Sequence, residues 1–298
     1  MIFHKPVLLE ECITGLNIKS SGIYVDATFG GGGHSKSIIK KIQKGKVYAF
    51  DQDQDANINT PTSNCFKLIN SNFRYLKQFL KLEGVEKIDG LLADLGVSSF
   101  QIDQAERGFS IRNKAELDMR MNQNSLLTAL NIINDYSEND LADIFYRYGD
   151  LTNSRNIASE IVKVRSEKKI ITTTDLIETV SHLTIYKKRN QFLARIFQAI
   201  RIEVNDEISA LKEMLDSAVD MLNQHGRIVV ISYHSLEDRI VKNLFKRGNT
   251  SGVLNKDLYG NVDRSLRQIN KNVIRPTEKE IILNKRSRSA KLRIAEKI

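Results

Sequence analysis

Four consecutive glycines and three well-spaced aspartates are the residues of this chain best suited to hold a small charged ligand. The run Phe29-Gly30-Gly31-Gly32-Gly33-His34-Ser35 lies between an apolar segment, IYVDATF, and an amphipathic one. A backbone passing from strand to helix there must turn tightly and let a ligand come close, which glycine alone permits. A dinucleotide fingerprint requires glycine at its first, third and sixth positions, but Gly30 and Gly32 are followed by Ser35, and Gly31 and Gly33 by Lys36. The phosphate-cradling pattern G-x-x-x-x-G-K-[ST] is also missing from the sequence. Asp26, Asp51 and Asp94 stand at the carboxyl ends of the first, second and fourth predicted strands, where open α/β sheets bind ligands. Three carboxylates there repel a pyrophosphate and suit a ligand with a sulfonium and an ammonium group. S-adenosylmethionine carries both.

Asp51 follows the glycine run by about 20 residues, the distance at which an acidic residue ending strand two takes ribose hydroxyls. Asp53 and Asp55 come next in a polar loop and are expected to be solvated. Phe73, in SNF after the third predicted strand, is expected either against an adenine face or in the core. In YHSLED, Ser235 is expected to cap a helix with Asp238 in the reciprocal position, leaving His234 a structural residue.

The elements that must carry these residues are legible as alternating short apolar runs and amphipathic stretches: IYVDATF, a helix over 35–43, KVYAFD, FKLIN and IDGLLADLGVSS. That alternation predicts a parallel sheet with crossover helices on both faces. From about Ala105 to Asn205 helical periodicity takes over, as in Leu141, Ile144, Phe145 and Tyr148, and in Ile157, Ile161 and Val164. A further helix from about Asp206 presents Ile208, Leu211, Leu215, Ala218 and Leu222 as one stripe, with Gly226 as its expected stop. GRIVVISYHS then resumes the sheet, an edge strand is expected at 273–275, and AKLRIAEKI reads as a last strand. The expected organisation is a discontinuous core, 1–105 with 206–298, interrupted by an all-helical insertion over 106–205.

The composition is that of a folded protein, with 298 residues, 41% hydrophobic and 27% charged. Lys and Arg outnumber Asp and Glu by 45 to 36, a formal charge of +9 that favours a polyanionic partner. Cys12 and Cys65 lie apart without metal-ligand spacing, so no metal is predicted and a reducing compartment fits. The opening MIFHKPVLLEE is too short in apolar residues for a signal peptide, and no stretch approaches the roughly 20 apolar residues of a membrane span. A cytoplasmic protein is expected.

FGGGGHS at 29–35, DLGVSSFQ at 94–101, ERGFSI at 106–111, LDMRM at 117–121, FQAIRIEVNDE at 197–207, ISYHSLEDRIVK at 231–242 and RSAKLR near the end together resemble the small-subunit ribosomal RNA cytosine-N4 methyltransferase family. The resemblance spans nearly the whole chain. It implies a doubly wound, Rossmann-like α/β methyltransferase sheet with an inserted helical domain for RNA recognition, S-adenosylmethionine as methyl donor, and a cytosine in the decoding region of the small-subunit RNA, within a small ribosomal subunit, as target. It further implies cofactor contacts from Gly32, Gly33, His34, Asp51, Phe73, Asp94 and Gln101. The chain departs from the family pattern at Asp150-Leu151, where two acidic residues are expected, and in a short stretch between Arg247 and Pro276.

The residues narrow the reaction. Methylation at cytosine C5 proceeds through a cysteine nucleophile, and neither cysteine lies beside the strand-four loop. Methylation of an exocyclic amine needs no covalent intermediate, only acceptors for the amine protons and in-line positioning. Asp94, or a main-chain carbonyl within 95–97, is the expected acceptor; alternatively Asp94 only binds cofactor or caps a turn. The loop 106–121, with Arg107, Phe109, Arg112 and Arg120, is expected either to clamp an extruded base or to serve as a packing strap. Basic clusters at 187–189, 242–247 and 285–293 either take phosphates or are solvated faces. Two other readings stay open: a methyltransferase acting on another nucleic acid or a protein, and a non-catalytic RNA-binding regulator.

Overall fold

A computed structural model describes residues 6–254 and 264–298. The first five residues of the N-terminal run, and part of the polar stretch after Gly248, lie outside the described residues. The chain divides into two compact units, Met1–Gly96 with Ile208–Ile298, and Val97–Glu207.

In the first unit seven strands form one sheet: β1 (Ile23–Asp26), β2 (Lys46–Phe50), β3 (Phe66–Ile69), β4 (Ile88–Asp94), β5 (Leu222–Ser232), β6 (Leu266–Gln268) and β7 (Lys291–Lys297), in the order β3-β2-β1-β4-β5-β7-β6. Strands β1 to β5 pair in parallel, while β7 runs antiparallel between β5 and β6. Alternate strand residues serve opposite faces even though both are buried. Leu92, Val229 and Ile231 pack with α1 (Leu9–Leu16) and α2 (Gly33–Ile39). Leu91, Ala93, Ile228 and Val230 pack instead with α3 (Leu76–Leu82) and residues downstream of the insertion. The strand order reverses direction at β1, so the ends of β1 and β4 form the switch point where such sheets bind ligands.

The second unit contains α4 (Ser99–Asp103), α5 (Ala129–Asp135), α6 (Glu138–Gly149), α7 (Ser154–Glu167), α8 (Thr173–Val180) and α9 (Arg189–Asn205) around its own core, which includes Ile132, Leu141, Phe145, Ile157, Ile161, Leu176, Ile196 and Ile200. Polar caps define its helix starts: Thr128 with Asn131 at α5, Ser137 at α6, and Thr172 with Asp175 at α8. Arg107 is 5% exposed, and its guanidinium donates to the carbonyls of Arg120 and Met121. Arg120 in turn forks onto Asp118 at 2.8 Å. These bonds tie Arg107 and Arg120 into the packing of their own unit.

Three sequence expectations are corrected here. The helix α10 (Glu207–Met221) stops five residues before Gly226, because Leu222 already pairs with Ile88; residues 223–226 then bulge, with His225 at φ 64°, before Arg227 pairs with Gly90. The edge strand is β6 at Leu266–Gln268, whereas Ile274 makes only an isolated bridge to Leu292. His234, not Ser235, caps α11 (Ser235–Arg247): its Nδ1 accepts the Glu237 amide, and Glu237 accepts the His234 amide in return. Asp238 is drawn instead to Arg293, whose Nε lies 2.7 Å from its Oδ1.

Candidate active site

The glycine turn joins β1 to α2. Gly32 has φ 72°, and a methyl group there would lie 2.8 Å from the Phe29 ring, so both conformation and space demand glycine. Gly33 closes against Pro6, leaving no room for a side chain. Gly31 faces open space, with nothing within 4 Å of an added Cβ. Gly32→Ala is therefore expected to cost about 2 kcal/mol of stability, combining a left-handed backbone with overpacking. Gly31→Ala should stay within about 0.5 kcal/mol of the parent while weakening S-adenosylmethionine binding; urea unfolding and calorimetric titration measure the two effects. Unweakened binding by Gly31→Ala would mean that the ligand does not use the open side of the turn.

Each strand-end carboxylate has a defined local partner set. Asp26, fully buried, accepts from Ser35 Oγ at 2.6 Å and from the Thr28 amide at 3.2 Å. Asp51 braces the turn itself: Oδ2 accepts the Gly30 amide at 2.8 Å and Oδ1 the Asp53 amide at 2.9 Å. Asp94 is tied to β1 by its own amide, which donates to Thr28 Oγ1 at 2.6 Å, and its Oδ1 accepts from the Tyr233 hydroxyl at 2.7 Å. Asp53, expected to be solvated, is buried and accepts the Asp55 amide to cap a 3-10 turn.

Burial pushes all three carboxyls up. For Asp26 it outweighs the opposing influence of His34, Ser35 and the Thr28 amide. Asp51 is pushed up to about 6 by burial, against the amides of Asp53 and Gly30 and with the charges of Asp53 and Asp26 adding to the rise. Asp94 also reaches about 6, burial prevailing over His34 and the Tyr233 hydrogen bond while Asp26 and Glu237 add repulsion. Buried carboxylates that, among the described residues, have no lysine or arginine paired with them are the complement of a cationic ligand. This donor set fits the sulfonium and ammonium of S-adenosylmethionine, and the open side of Gly31 fits its approach.

His34, at the start of α2, donates from Nε2 to the Val7 carbonyl at 3.1 Å. Phe73 opens a 3-10 turn after β3, its ring packed on the core edge; the neighbouring Asn72 Nδ2 donates to Gln52 Oε1, linking the loops after β3 and β2. Gln101 belongs to the second unit, 4% exposed, where its Oε1 accepts the Ser98 amide in the capping box of α4. The first unit therefore gathers Gly32, Gly33, His34, Asp51, Phe73 and Asp94, and Gln101 is built into the other. Sequence reasoning missed Thr28, Ser35 and Tyr233 as partners of the aspartates. The sole sequence signal for Tyr233 is that it stands one residue beyond the end of β5, the strand beside β4. Cys12 is buried in α1 with its thiol pushed well up by burial and by Asp94, Glu11 and Asp26, which makes it a poor nucleophile.

A doubly wound sheet with an antiparallel strand before its last edge, a glycine turn after β1 and buried carboxylates at the strand ends define a Rossmann-like methyltransferase that uses S-adenosylmethionine. The chain belongs to the MraW methylase family, whose model matches residues 1–298. Ribosomal RNA small subunit methyltransferase H of Phocaeicola vulgatus is 52% identical to it over 297 residues, covering 99% of this chain and 98% of its own. The protein of the same name from Parabacteroides distasonis is 53% identical over 298 residues, covering 99% and 98%. An rRNA methylase of Streptococcus thermophilus has a solved structure similar at TM-score 0.45 and 13% identity, covering 100% of this chain and 99% of that one. The strand order, not this distant likeness, defines the fold.

Proposed function

We propose that this protein transfers the methyl group of S-adenosylmethionine to the exocyclic N4 of a cytosine in the decoding region of small-subunit ribosomal RNA, with the small ribosomal subunit as its partner. The observation that carries the reading is the full-length identity of 50% and more to small-subunit rRNA methyltransferases. Supporting amine chemistry, a carboxylate, Asp94, ends β4, the following loop holds no cysteine, and Cys12 is buried. On this reading the protein works in the cytoplasm; none of its described helices is long and apolar enough to cross a membrane.

When bound, S-adenosylmethionine supplies an electrophilic methyl group on a sulfonium. The chain's own residues supply the rest. Asp51, with two amides already on its carboxylate, keeps lone pairs for ribose hydroxyls. Gly32 and Gly33 let the turn close on Phe29 and Pro6 while Gly31 leaves its side open to the ligand, His34 fixes the start of α2, and Phe73 completes the cofactor contacts of the first unit. Asp94 accepts hydrogen bonds from the N4 amine, which concentrates the lone pair on nitrogen, and with a carboxyl at about 6 it can take up the proton released after transfer.

The helical unit is the RNA-recognition part. Its support is the turn between α8 and α9, where Tyr186 is 89% and Ile185 63% exposed beside exposed Lys187 and Lys188. An aromatic ring standing among lysines is a stacking platform with phosphate contacts, and Arg189 Nε on Ser181 Oγ at 3.2 Å steadies it. Tyr186→Ala is expected to weaken RNA binding about tenfold and leave S-adenosylmethionine affinity unchanged. Equal RNA binding by variant and parent in a filter assay would remove Tyr186 from the interface.

The reading is tested by incubating the protein with radiolabelled S-adenosylmethionine and small subunits lacking the modification, then digesting the RNA. Label in N4-methylcytidine is the expected result. Label in another nucleoside would move the target, and cofactor binding without transfer to any ribosomal RNA would overturn the reading.

A further inference from the structure

We propose that Tyr233 is a positioning residue of the transfer step: its hydroxyl fixes Oδ1 of Asp94 and so holds the carboxylate with Oδ2 as the oxygen offered to the amine. The inference deepens the proposed function and rests on its assignment of Asp94.

Strand β5 sets the arrangement. Its Ile231 pairs with Asp94, so Tyr233, two residues on, stands beyond the paired end and reaches across to the neighbouring strand. The hydroxyl donates to Asp94 Oδ1 at 2.7 Å, and among the described residues no hydrogen bond reaches Oδ2. The ring is seated over Gly96, whose φ of 95° turns the chain away after β4; a Cβ there would lie 3.5 Å from Tyr233 Cδ2. The Tyr233 backbone is held as well, since its amide donates to Glu237 Oε2 at 2.8 Å within the first turn of α11. Glu237 is itself buried and engaged in the cap with His234. A series of fixed contacts thus runs from α11 through Tyr233 to the end of β4.

The groups facing Asp94 come from every element around it: Asp26 from the end of β1, His34 from α2, Cys12 from α1, Glu237 from α11, and Tyr233. Asp26 and Glu237 favour a protonated Asp94, whereas His34 and the Tyr233 hydroxyl favour the carboxylate. The tyrosine remains a donor throughout, because burial and the charge of Asp94 push its hydroxyl far up. A hydrogen bond given to the ionised form lowers a carboxyl's pKa, so its removal raises it. The same bond both aims Asp94 and keeps it ionised near neutrality.

The test uses Tyr233→Phe in the full chain, which keeps the ring over Gly96 and removes the donor. Asp94 is titrated in the ligand-free protein by carboxyl-carbon NMR, assigned by its loss in Asp94→Asn, and methylation of small subunits is followed against pH. Titration of Asp94 and the acid limb of kcat should both move to higher pH by about one pH unit, so that kcat is down about tenfold on the acid limb and about twofold near pH 7, with KM for RNA unchanged. The deficit should narrow as pH rises, and Tyr233→Phe should add nothing in the Asp94→Asn background. Difluorotyrosine at position 233, a stronger donor of the same shape, should move both curves the other way, and it decides the matter if the phenylalanine variant does not fold. A rate loss without movement of the titration would make Tyr233 a packing residue. Movement of the titration without a change in rate would remove Asp94 from the transfer, and either result overturns the proposal. A parent protein that methylates no small-subunit RNA overturns the proposed function instead, and this inference with it.

Discussion

Asp51→Ala is expected to lower affinity for S-adenosylmethionine by at least about a hundredfold, the cost of some 3 kcal/mol. The substitution removes the proposed ribose acceptor and, at the same time, frees the Gly30 and Asp53 amides that the carboxylate holds, so the glycine turn loses its brace. Parent protein should mimic part of this loss on acidification. Asp51 and Asp94 both sit at about 6 in the ligand-free protein, so between the ordinary carboxylate range and about 6 the folded chain binds protons that the unfolded chain has released. Ligand-free stability therefore falls as pH rises through that window, while affinity for a cationic ligand rises through it and levels off above. Calorimetric titration at pH 7.5 and 5 should show tighter binding at the higher pH, and the gain in Tm on adding ligand should be larger there. Binding by Asp51→Ala within a few-fold of the parent would remove Asp51 from the site.

The second large effect concerns stability alone. Glu296 on β7 stands directly opposite Arg227 of β5 and Arg267 of β6, with Oε2 3.1 Å from Arg227 Nε and Oε1 2.7 Å from Arg267 Nη2. Glu296→Ala leaves two guanidiniums flanking a strand whose remaining charged residues, Lys291, Arg293 and Lys297, are all basic, and is expected to cost about 3 kcal/mol, toward the low end for a broken buried pair because Arg267 is largely exposed. Burial pushes the Glu296 carboxyl up, but hydrogen bonds and charges from Arg227 and Arg267 hold it below its ordinary value. Its stabilisation is thus complete above the ordinary glutamate range and lost as pH falls through the depressed value, opposite in sign to Asp51 and Asp94. Urea unfolding of parent and variant should differ at pH 7 and converge in strong acid; equal midpoints at pH 7 would show that the cluster contributes nothing.

The sheet and its glycine turn were legible because their signals are local: apolar runs of strand length, glycines after the first, and aspartates at run ends. Features set by long-range pairing were not. Gly226 resembles a helix stop, yet the helix ends at Met221 because Leu222 is claimed by Ile88, far away in sequence. Ser235 has the better capping propensity, but the Glu237 carboxylate accepts the Tyr233 and His234 amides, and this shifts the cap to His234. The basic run near the end contains Lys291 and Arg293, which β7 delivers to Asp238, so part of an apparent phosphate surface is internal pairing. Within the site, the three aspartates could be found from strand ends, while Tyr233 could not, since its hydrogen bond depends on the register of β5 against β4.

The insertion of β7 between β5 and β6 bears on the order in which the molecule is assembled during synthesis. The helical unit, Val97–Glu207, is one continuous stretch and holds all the residues of its own core, so it can finish folding as soon as that stretch has left the ribosome. The sheet unit cannot: β6 has no neighbour until β7 arrives, and β5 lacks its outer one. β7 completes the sheet, so the carboxylate-lined end of β4 acquires its full support only after the chain has been made through Lys297.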